Sequence, residues 1–235
     1  HTLMFGYIAT HSMNPALQKL RYDPVADFEP VGLVGYSPTL MVANAAAPFK
    51  DVKDLVAQLK AKPDRYAYAS AGNGTAPHFA AELFKLNARV QMLGVPYKGS
   101  APAVSDTIGG QTQVMFLNTD AVLPHIRTGR LVALANSAPQ RSPLLPDLPT
   151  VAESGFPGFE ATAWGGLTGP KGLPPAVVER LHGAVMKVLA GPFRGKQEAL
   201  GATILGTTPA EFSAYFKAET ERWAKVITTA GIKAD

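Results

Sequence analysis

The feature that most limits how this chain can fold is a regular alternation of short apolar runs and amphipathic segments between residues 51 and 135. The apolar runs, at 66–69, 90–95, 114–117 and 131–135, have the length of strands. The segments between them carry helical periodicity, and the last two end at glycine. Strands that alternate with helices predict a parallel sheet with right-handed crossovers, so we expect an α/β lobe here.

A second lobe is predicted from the segments on either side of this one. The stretch at 30–49 has no charged residue, but its Gly, Pro, Ser and Asn residues favour two buried strands, at 31–36 and 39–44, over a membrane-spanning helix. The proline-rich segment at 139–170 has no helical period. It is expected to lead the chain out of the α/β lobe and back to the lobe that contains the first residues of the chain.

Two amphipathic helices are expected near the end of the chain. One covers 174–190, and the other begins at the capping box Thr208-Pro209-Ala210-Glu211. We therefore expect lobe 1 to comprise residues 1–37 and 165–235 and lobe 2 to comprise residues 38–164. The two crossings between the lobes predict a ligand cleft between them.

Composition excludes several classes of protein. The net charge of +4 is spread over the chain without a Lys/Arg run, which argues against a nucleic-acid partner. The absence of cysteine excludes disulfides, thiolate metal sites and a cysteine nucleophile. No two histidines lie three or four residues apart, and no Gly-x-Ser-x-Gly motif occurs. The sequence therefore predicts no catalytic residue, no metal site and no cofactor.

Three predicted strand-to-helix junctions, at 70–75, 97–100 and 118–120, should meet at the carboxyl edge of one parallel sheet. The helices would point free N–H groups at this edge, where they favour an anion and most naturally a carboxylate. Ser70, Asn73 and Thr75 would add side-chain donors. The alternative is that Gly72-Asn73-Gly74 only makes a tight turn and Thr75 only caps its helix; pattern alone weights both equally.

Other polar residues have two possible roles each. His11, in Thr10-His11-Ser12, could line a cleft or simply be an exposed or hydrogen-bonded loop residue. Asp120 could accept a ligand hydroxyl or, as we favour, cap its helix, and Ser100 is expected to cap the helix that it begins. His78 is expected to cap or pack rather than to act in catalysis.

Segments spread over nearly the whole chain resemble, in order and spacing, the extracytoplasmic receptors of tripartite tricarboxylate transporters, the Bug or TctC family. These segments are 14–17, 22–31, Ser70-Ala71-Gly72-Asn73-Gly74-Thr75 with His78, Val95-Pro96-Tyr97-Lys98-Gly99-Ser100-Ala101-Pro102, Leu123-Pro124-His125-Ile126, 141–143, 148–153 and Ala230-Gly231-Ile232-Lys233.

The resemblance implies an α/β periplasmic-binding-protein fold of type II, in which each lobe is a mostly parallel sheet flanked by helices. It implies a monomeric periplasmic receptor that binds a small mono- or dicarboxylate and passes it to membrane permease subunits. By the same resemblance Ser70, Asn73, Gly74 and Thr75 would hold one carboxylate. Thr10, His11, Ser12, Pro38 and Thr39 would form cleft walls, and Tyr97, Asn118, Asp120 and Trp164 would select the ligand.

Two departures from the family pattern bear on this interpretation. The family's opening strand and first carboxylate-binding loop are expected upstream of His1, and no signal peptide is visible. Leu117 stands where many members carry an acidic residue, which favours plain organic acids over amino acids. The alternatives are a sensory subunit with the same fold and, less favoured because no nucleophile–base pair is visible, a small-molecule α/β enzyme.

Overall fold

The computed structural model describes residues 2–63 and 65–231; His1, Asp64 and Ile232-Lys233, on which parts of the predictions fall, lie outside the described residues. The strands are β1 (Met4–Tyr7), β2 (Phe28–Asn44), β3 (Ala67–Ser70), β4 (Leu93–Pro96), β5 (Val114–Asn118), β6 (Leu131–Asn136), β7 (Thr162–Pro170) and β8 (Thr203–Ile204). The α-helices are α1 (Asn14–Leu17), α2 (Val52–Ala61), α3 (Ala76–Ala88), α4 (Ser100–Ile108), α5 (Thr119–Arg127), α6 (Pro175–Leu189), α7 (Pro192–Glu198) and α8 (Pro209–Ala230), and a π-helix covers Ala9–Met13.

The chain divides into two compact units. Unit 2 is Pro38–Thr162, and unit 1 holds the described residues up to Ser37 and from Ala163 onward. The sequence-based boundaries were 37/38 and 164/165. Their interpretation as two lobes remains a prediction, and each unit is described by itself below.

Five strands form the sheet of unit 2, in the order β4-β3-β5-β2-β6. β3 pairs in parallel with β4 and β5, whereas β2 is antiparallel to β5 and β6. The four strands of the alternating region therefore run in one direction, as predicted, and their carboxyl ends lie at the same edge. β2 alone runs against them.

The core of unit 2 lies where this sheet packs on its helices. One buried cluster of this core draws on four strands and on α4 and α5, and its members are Leu40, Val42, Ala69, Ala103, Val104, Met115, Leu117, Val122 and Leu131. The helix α2 begins as predicted, because the Asp51 side chain accepts a hydrogen bond from the Asp54 N–H at 2.8 Å. Burial of one apolar face of each segment is what fixes the strand and helix register.

In unit 1 the strands follow the order β1-β7-β2, and β8 also pairs with β2. The β1–β7 and β2–β8 pairs are both antiparallel, so the expected parallel pairing does not hold for these two pairs. The reason is that neither pair is joined by a strand–helix–strand crossover. β7, α7 and β8 were not predicted from the sequence.

An aromatic cluster forms the core of unit 1. Phe212 and Phe216 of α8 pack against Trp164 of β7, with ring centroids 5.9 Å and 5.7 Å from the indole. The predicted capping box starts α8, with reciprocal bonds between Thr208 and Glu211. The apolar face of this amphipathic helix therefore lies in the core of unit 1, where it packs against Trp164 of β7.

β2 is one continuous strand of 17 residues rather than the two strands predicted from Ser37-Pro38. The proline is tolerated because the strand changes partners there: Gly35 and Tyr36 pair with β8, and pairing with β5 begins at Thr39. Since proline has no N–H to donate, a change of partner is where it disturbs a sheet least.

Candidate functional site

The three predicted junctions of unit 2 lie at the carboxyl edge of its sheet, where β3, β4 and β5 end. The loops after β3 and β4 are joined directly. The Tyr97 N–H donates to the Ser70 carbonyl at 3.1 Å, and the Gly99 N–H donates to the Ala71 carbonyl at 3.2 Å. These two loops therefore form one connected surface at the edge.

Three helices begin at this edge without a side-chain cap. The N-cap residues of α3, α4 and α5 are Thr75, Gly99 and Asn118, and no side-chain hydrogen bond caps any of the three helices. The N-termini of α2 and α8 are capped by side chains, whereas those of α6 and α7 in unit 1 are not. Uncapped N–H groups and the helix dipole together favour an anion at this edge.

The caps expected at Ser100 and Asp120 are therefore wrong, and Thr75 occupies the N-cap position of α3 without capping it by its side chain. The Thr75 hydroxyl donates to the Gly72 carbonyl at 2.7 Å instead of accepting from α3. Ser100 is the first residue of α4, behind Gly99. Asp120 is exposed in the first turn of α5 and does not occupy the N-cap position.

The loop from Ser70 to Thr75 is held by its own hydrogen bonds. Gly72 and Gly74 have φ angles of 127° and 72°, which side chains other than glycine's rarely adopt. The Gly74 N–H donates to His78 Nδ1 at 3.3 Å, so this amide is bonded within the loop. Ser70 is buried, and Asn73 is exposed at the tip. His78 thus has the structural role that the sequence indicated.

Thr39 and Asn118 lie opposite each other in the β2–β5 register at the same edge. The Thr39 Oγ1 and Asn118 Oδ1 atoms are buried, and neither has a hydrogen-bond partner. Beside them the Thr119 hydroxyl donates to the carbonyl of Pro38 at 3.3 Å. Buried polar atoms in native proteins are nearly always paired, so two unpaired oxygens at one point of the edge need an explanation.

Sequence reasoning missed Ser137, which follows β6 on the other side of Thr39. The Thr39 N–H donates to the Ser137 hydroxyl at 2.9 Å, and the Ser137 N–H donates to the Thr39 carbonyl at 2.9 Å. The predicted strand at 131–135 does indicate a fourth parallel strand that ends at this edge of the sheet. The partner of its end could not be read from the sequence, because β2 precedes β6 by about 90 residues.

Tyr97 and Asp120 differ from the other candidates in unit 2. The Tyr97 hydroxyl donates to Asp106 at 2.9 Å, and partial burial followed by this carboxylate raises the pKa of Tyr97. Its ring packs against the core of the unit. Tyr97 therefore packs on the core of unit 2 and is bonded to α4. Asp120 is an exposed acidic residue at the edge of the sheet.

In unit 1, Thr10, His11 and Ser12 lie in the π-helix and not in the loop that the sequence predicted. The Thr10 hydroxyl donates to the Tyr7 carbonyl at 2.9 Å and lies 2.8 Å from His11 Nδ1. Because this hydroxyl has only one proton, we assign the proton of the neutral imidazole to Nδ1. The Nε2 atom is then an acceptor, and it has no partner.

His11 is fully buried among aromatic rings. The centroids of Phe28 and Phe216 lie 4.7 Å and 4.8 Å from its own, and that of Trp164 lies at 6.3 Å. Burial lowers the pKa of His11 to about 4, so the ring is neutral at physiological pH. The expected possibility of an exposed loop histidine is wrong.

The unpaired buried polar atoms coincide with the predicted ligand residues. In the described part of the chain, the buried side-chain polar atoms without a partner are His11 Nε2, Ser12 Oγ, Thr39 Oγ1, Asn118 Oδ1 and Trp164 Nε1. All five belong to residues that the sequence analysis selected for ligand contact. Such atoms can accept or donate hydrogen bonds to a bound molecule.

Within 2–63 and 65–231 no group of three or more His, Asp or Glu side chains could hold a metal ion. No helix in these ranges is both long enough and apolar enough to cross a membrane. The candidate ligand groups of each unit, described above, are suited to hydrogen bonding.

Comparison with known proteins agrees with this picture. The family model for the tripartite tricarboxylate transporter family receptor, TctC, matches residues 1–232. The chain belongs to this family, which confirms the resemblance seen in the sequence. Among curated relatives, Protein BugT of Bordetella pertussis is 36% identical over 220 residues, which are 92% of this chain and 67% of BugT.

Solved structures confirm the fold class. Rpa4515 of R. palustris, solved with adipate, has a TM-score of 0.87 and 33% identity, over 99% of this chain and 78% of its own. The periplasmic binding protein BugD has a TM-score of 0.86 and 34% identity, over 99% and 79%. MatC of Rhodopseudomonas palustris, with bound malate, has a TM-score of 0.84 and 33% identity, over 97% and 79%.

The chain is shorter than these proteins. It spans 65% to 68% of the length of the first three curated relatives that it matches. The activity, ligand and partners of a whole receptor are therefore treated as proposals for this chain.

Proposed function

We propose that this chain is a receptor that binds a small organic acid, a mono- or dicarboxylate, in the periplasm and delivers it to a tripartite tricarboxylate-type membrane permease. Membership of the TctC family supports the receptor class. Two similar proteins were solved with adipate and with malate, both of which are dicarboxylic acids.

One observation carries the proposal. The buried polar atoms that lack a partner in the described chain all belong to candidate ligand residues. A buried donor or acceptor left without a partner costs about 1–3 kcal/mol. A ligand that supplies missing partners would recover part of this free energy on binding, which supports a binding role for these residues.

The chemistry of the unit 2 edge favours an anion without an amino group. The three uncapped helix N-termini provide partial positive charge for a carboxylate. An ammonium group held beside β5 would need a buried acidic partner, but Leu117, the buried residue there, is apolar. We therefore propose plain or hydroxylated acids as ligands.

Binding without turnover is the proposed activity. Ser70, Thr39 and Asn118 supply hydroxyl and amide groups, and none of them has a hydrogen bond to a basic side chain among the described contacts. Hydrolysis or group transfer by such residues would need an activating base. The site residues fit recognition better than catalysis.

The test is calorimetric titration with adipate, malate and the amino acid glutamate. We expect at least one of the two plain acids to bind and glutamate not to bind. Thr39→Val removes the unpaired hydroxyl and should weaken binding about tenfold, which is about 1.4 kcal/mol. Thr128→Val changes an exposed threonine on the far end of α5 and serves as the matched control.

Two results would contradict this proposal. One is that none of a wider panel of aliphatic and aromatic acids binds a cooperatively folded chain. The other is equal affinity in the unaltered chain and in Thr39→Val. Delivery is tested separately, by uptake of the labelled acid into membrane vesicles that contain the permease, with and without this chain.

A further inference from the structure

Ser137 has an unusual position, because both its backbone and its side chain bind the same two segments. Its hydroxyl accepts from the Thr39 N–H at 2.9 Å and donates to the Ala161 carbonyl at 2.6 Å. Its backbone N–H donates to the Thr39 carbonyl at 2.9 Å, and its carbonyl accepts from the Ala161 N–H at 3.0 Å. The residue is only 2% exposed.

Two of these bonds hold the backbone of Thr39 on the side away from Asn118, and the other two hold Ser137 itself against Ala161. The β2–β6 register ends at Leu40 and Asn136, so Ser137 is the first residue beyond the ladder. Its hydroxyl replaces the strand carbonyl that would otherwise accept from the Thr39 N–H. The carbonyl of Ser137 is thereby left to bind Ala161 instead.

A hydroxyl side chain is suited to this arrangement. A serine oxygen donates one hydrogen bond and accepts others at the same time. The Thr39 N–H is buried, so a residue without a hydroxyl would leave it unpaired at a cost that the strand can avoid only by moving. Movement of Thr39 would displace its Oγ1 from the position opposite Asn118 Oδ1.

We infer that Ser137 is a positioning residue for the proposed carboxylate site: through the Thr39 backbone it fixes where the unpaired Thr39 hydroxyl meets the ligand. The inference rests on the proposed function for the ligand, but it makes a separate statement about the Thr39 backbone. Ser137 itself has no unpaired atom, so it acts through Thr39 and does not contact the ligand.

The test compares Ser137→Ala with a matched serine variant. Ser142→Ala removes another buried hydroxyl of unit 2, one that accepts from the Leu144 N–H at 3.3 Å and does not contact Thr39. Affinity for adipate and malate is measured by calorimetry, and exchange of the Thr39 amide proton is measured by NMR. Both are recorded well below the melting temperature of each variant.

We expect Ser137→Ala to bind the acid about threefold to tenfold more weakly, as the loss of one hydrogen bond implies. Its Thr39 amide should exchange at least tenfold faster. Ser142→Ala should change neither quantity, even if it melts earlier. Ser137→Thr keeps the hydroxyl and should restore both quantities toward those of the unaltered chain.

Three outcomes would overturn the inference. The first is unchanged affinity in Ser137→Ala, and the second is weaker binding without faster Thr39 exchange. The third is an equal effect of Ser142→Ala, which would indicate a general loss of stability. If no acid binds the unaltered chain, the proposed function fails, and the Thr39 exchange rate alone then decides whether Ser137 fixes this backbone.

Discussion

Thr39 and Asn118 are register partners across the antiparallel β2–β5 pair, and each keeps a buried side-chain oxygen without a hydrogen-bond partner. The backbone around Thr39 is, in contrast, fully bonded to Ser137. An ordered backbone that presents unpaired side chains is what the proposed carboxylate site requires, because the entropy of ordering is then lost before a ligand arrives.

The first prediction concerns stability and Thr39. In Thr39→Val the buried, unpaired hydroxyl is replaced by a methyl group of similar size, so no hydrogen bond is lost. We expect the ligand-free variant to be as stable as the unaltered chain or more stable, although it binds the acid more weakly. Denaturant unfolding measures this, with Thr119→Val as the control that does lose a bond, to Pro38. A large loss of stability in Thr39→Val would mean that the hydroxyl is bonded in the ligand-free protein.

The second prediction concerns unit 1. Ser12 is fully buried, and its hydroxyl has no partner, so Ser12→Ala should leave the melting temperature nearly unchanged. If the hydroxyl contacts the ligand, affinity should fall about threefold to tenfold. Ser213→Ala, at an exposed position of α8 in the same unit, is the control. Unchanged affinity in Ser12→Ala would remove Ser12 from the proposed site.

Much of unit 2 could be predicted from the sequence because its information is local. Asp51 followed by Asp54 specifies the start of α2, and Gly72 and Gly74 specify the turn after β3. Strands that alternate with helices allow few arrangements, so the common direction of β3 to β6 followed from their order alone.

The remaining features depend on contacts between residues far apart in the chain. Ser137 lies 98 residues from Thr39, and β7 pairs with β1 across more than 150 residues. The π-helix at 9–13 has no helical pattern of its own; it forms where His11 can pack against Phe28 and Phe216. Some segments that resemble the family have a structural role. Arg141 and Glu153 form an ion pair at 2.9 Å, and the Glu153 carboxylate also accepts a hydrogen bond from the Thr150 N–H.

The third prediction is a pH dependence set by His11. Burial lowers its pKa to about 4 in the folded chain, against about 6.5 when unfolded. The unfolded chain therefore takes up the proton at a higher pH than the folded chain does. The contribution of neutral His11 to stability is complete above pH 6.5 and is lost progressively as the pH falls from 6.5 through 4. At pH 5 the expected loss is about 2 kcal/mol, from 1.36 kcal/mol for each pH unit below 6.5.

The measurement is the free energy of unfolding in urea at pH 7.5 and pH 5. His11→Gln has no titrating group and should show a smaller difference between the two values than the unaltered chain does. His125→Gln, which changes a half-buried histidine of α5, should keep the full difference. Equal pH dependence in the unaltered chain and in His11→Gln would contradict the burial of a neutral imidazole.

The last prediction concerns Gly94 in β4. A Cβ atom there would lie 2.8 Å from the Tyr68 hydroxyl oxygen and 3.0 Å from its ring carbon Cζ. Tyr68 cannot move easily, because it is buried and its hydroxyl donates to Glu82 at 2.6 Å. Gly94→Ala should therefore destabilise the chain by about 1–3 kcal/mol, as overpacking does.

Gly183→Ala provides the opposite case, since no atom lies within 4 Å of the added methyl group and the position is inside α6. That variant should gain about 0.5–1 kcal/mol, because alanine favours a helix over glycine. Both free energies of unfolding come from urea titration. Equal stability of Gly94→Ala and the unaltered chain would show that Tyr68 gives way, and Tyr68→Phe in the same background would then identify whether the hydroxyl or the ring is what moves.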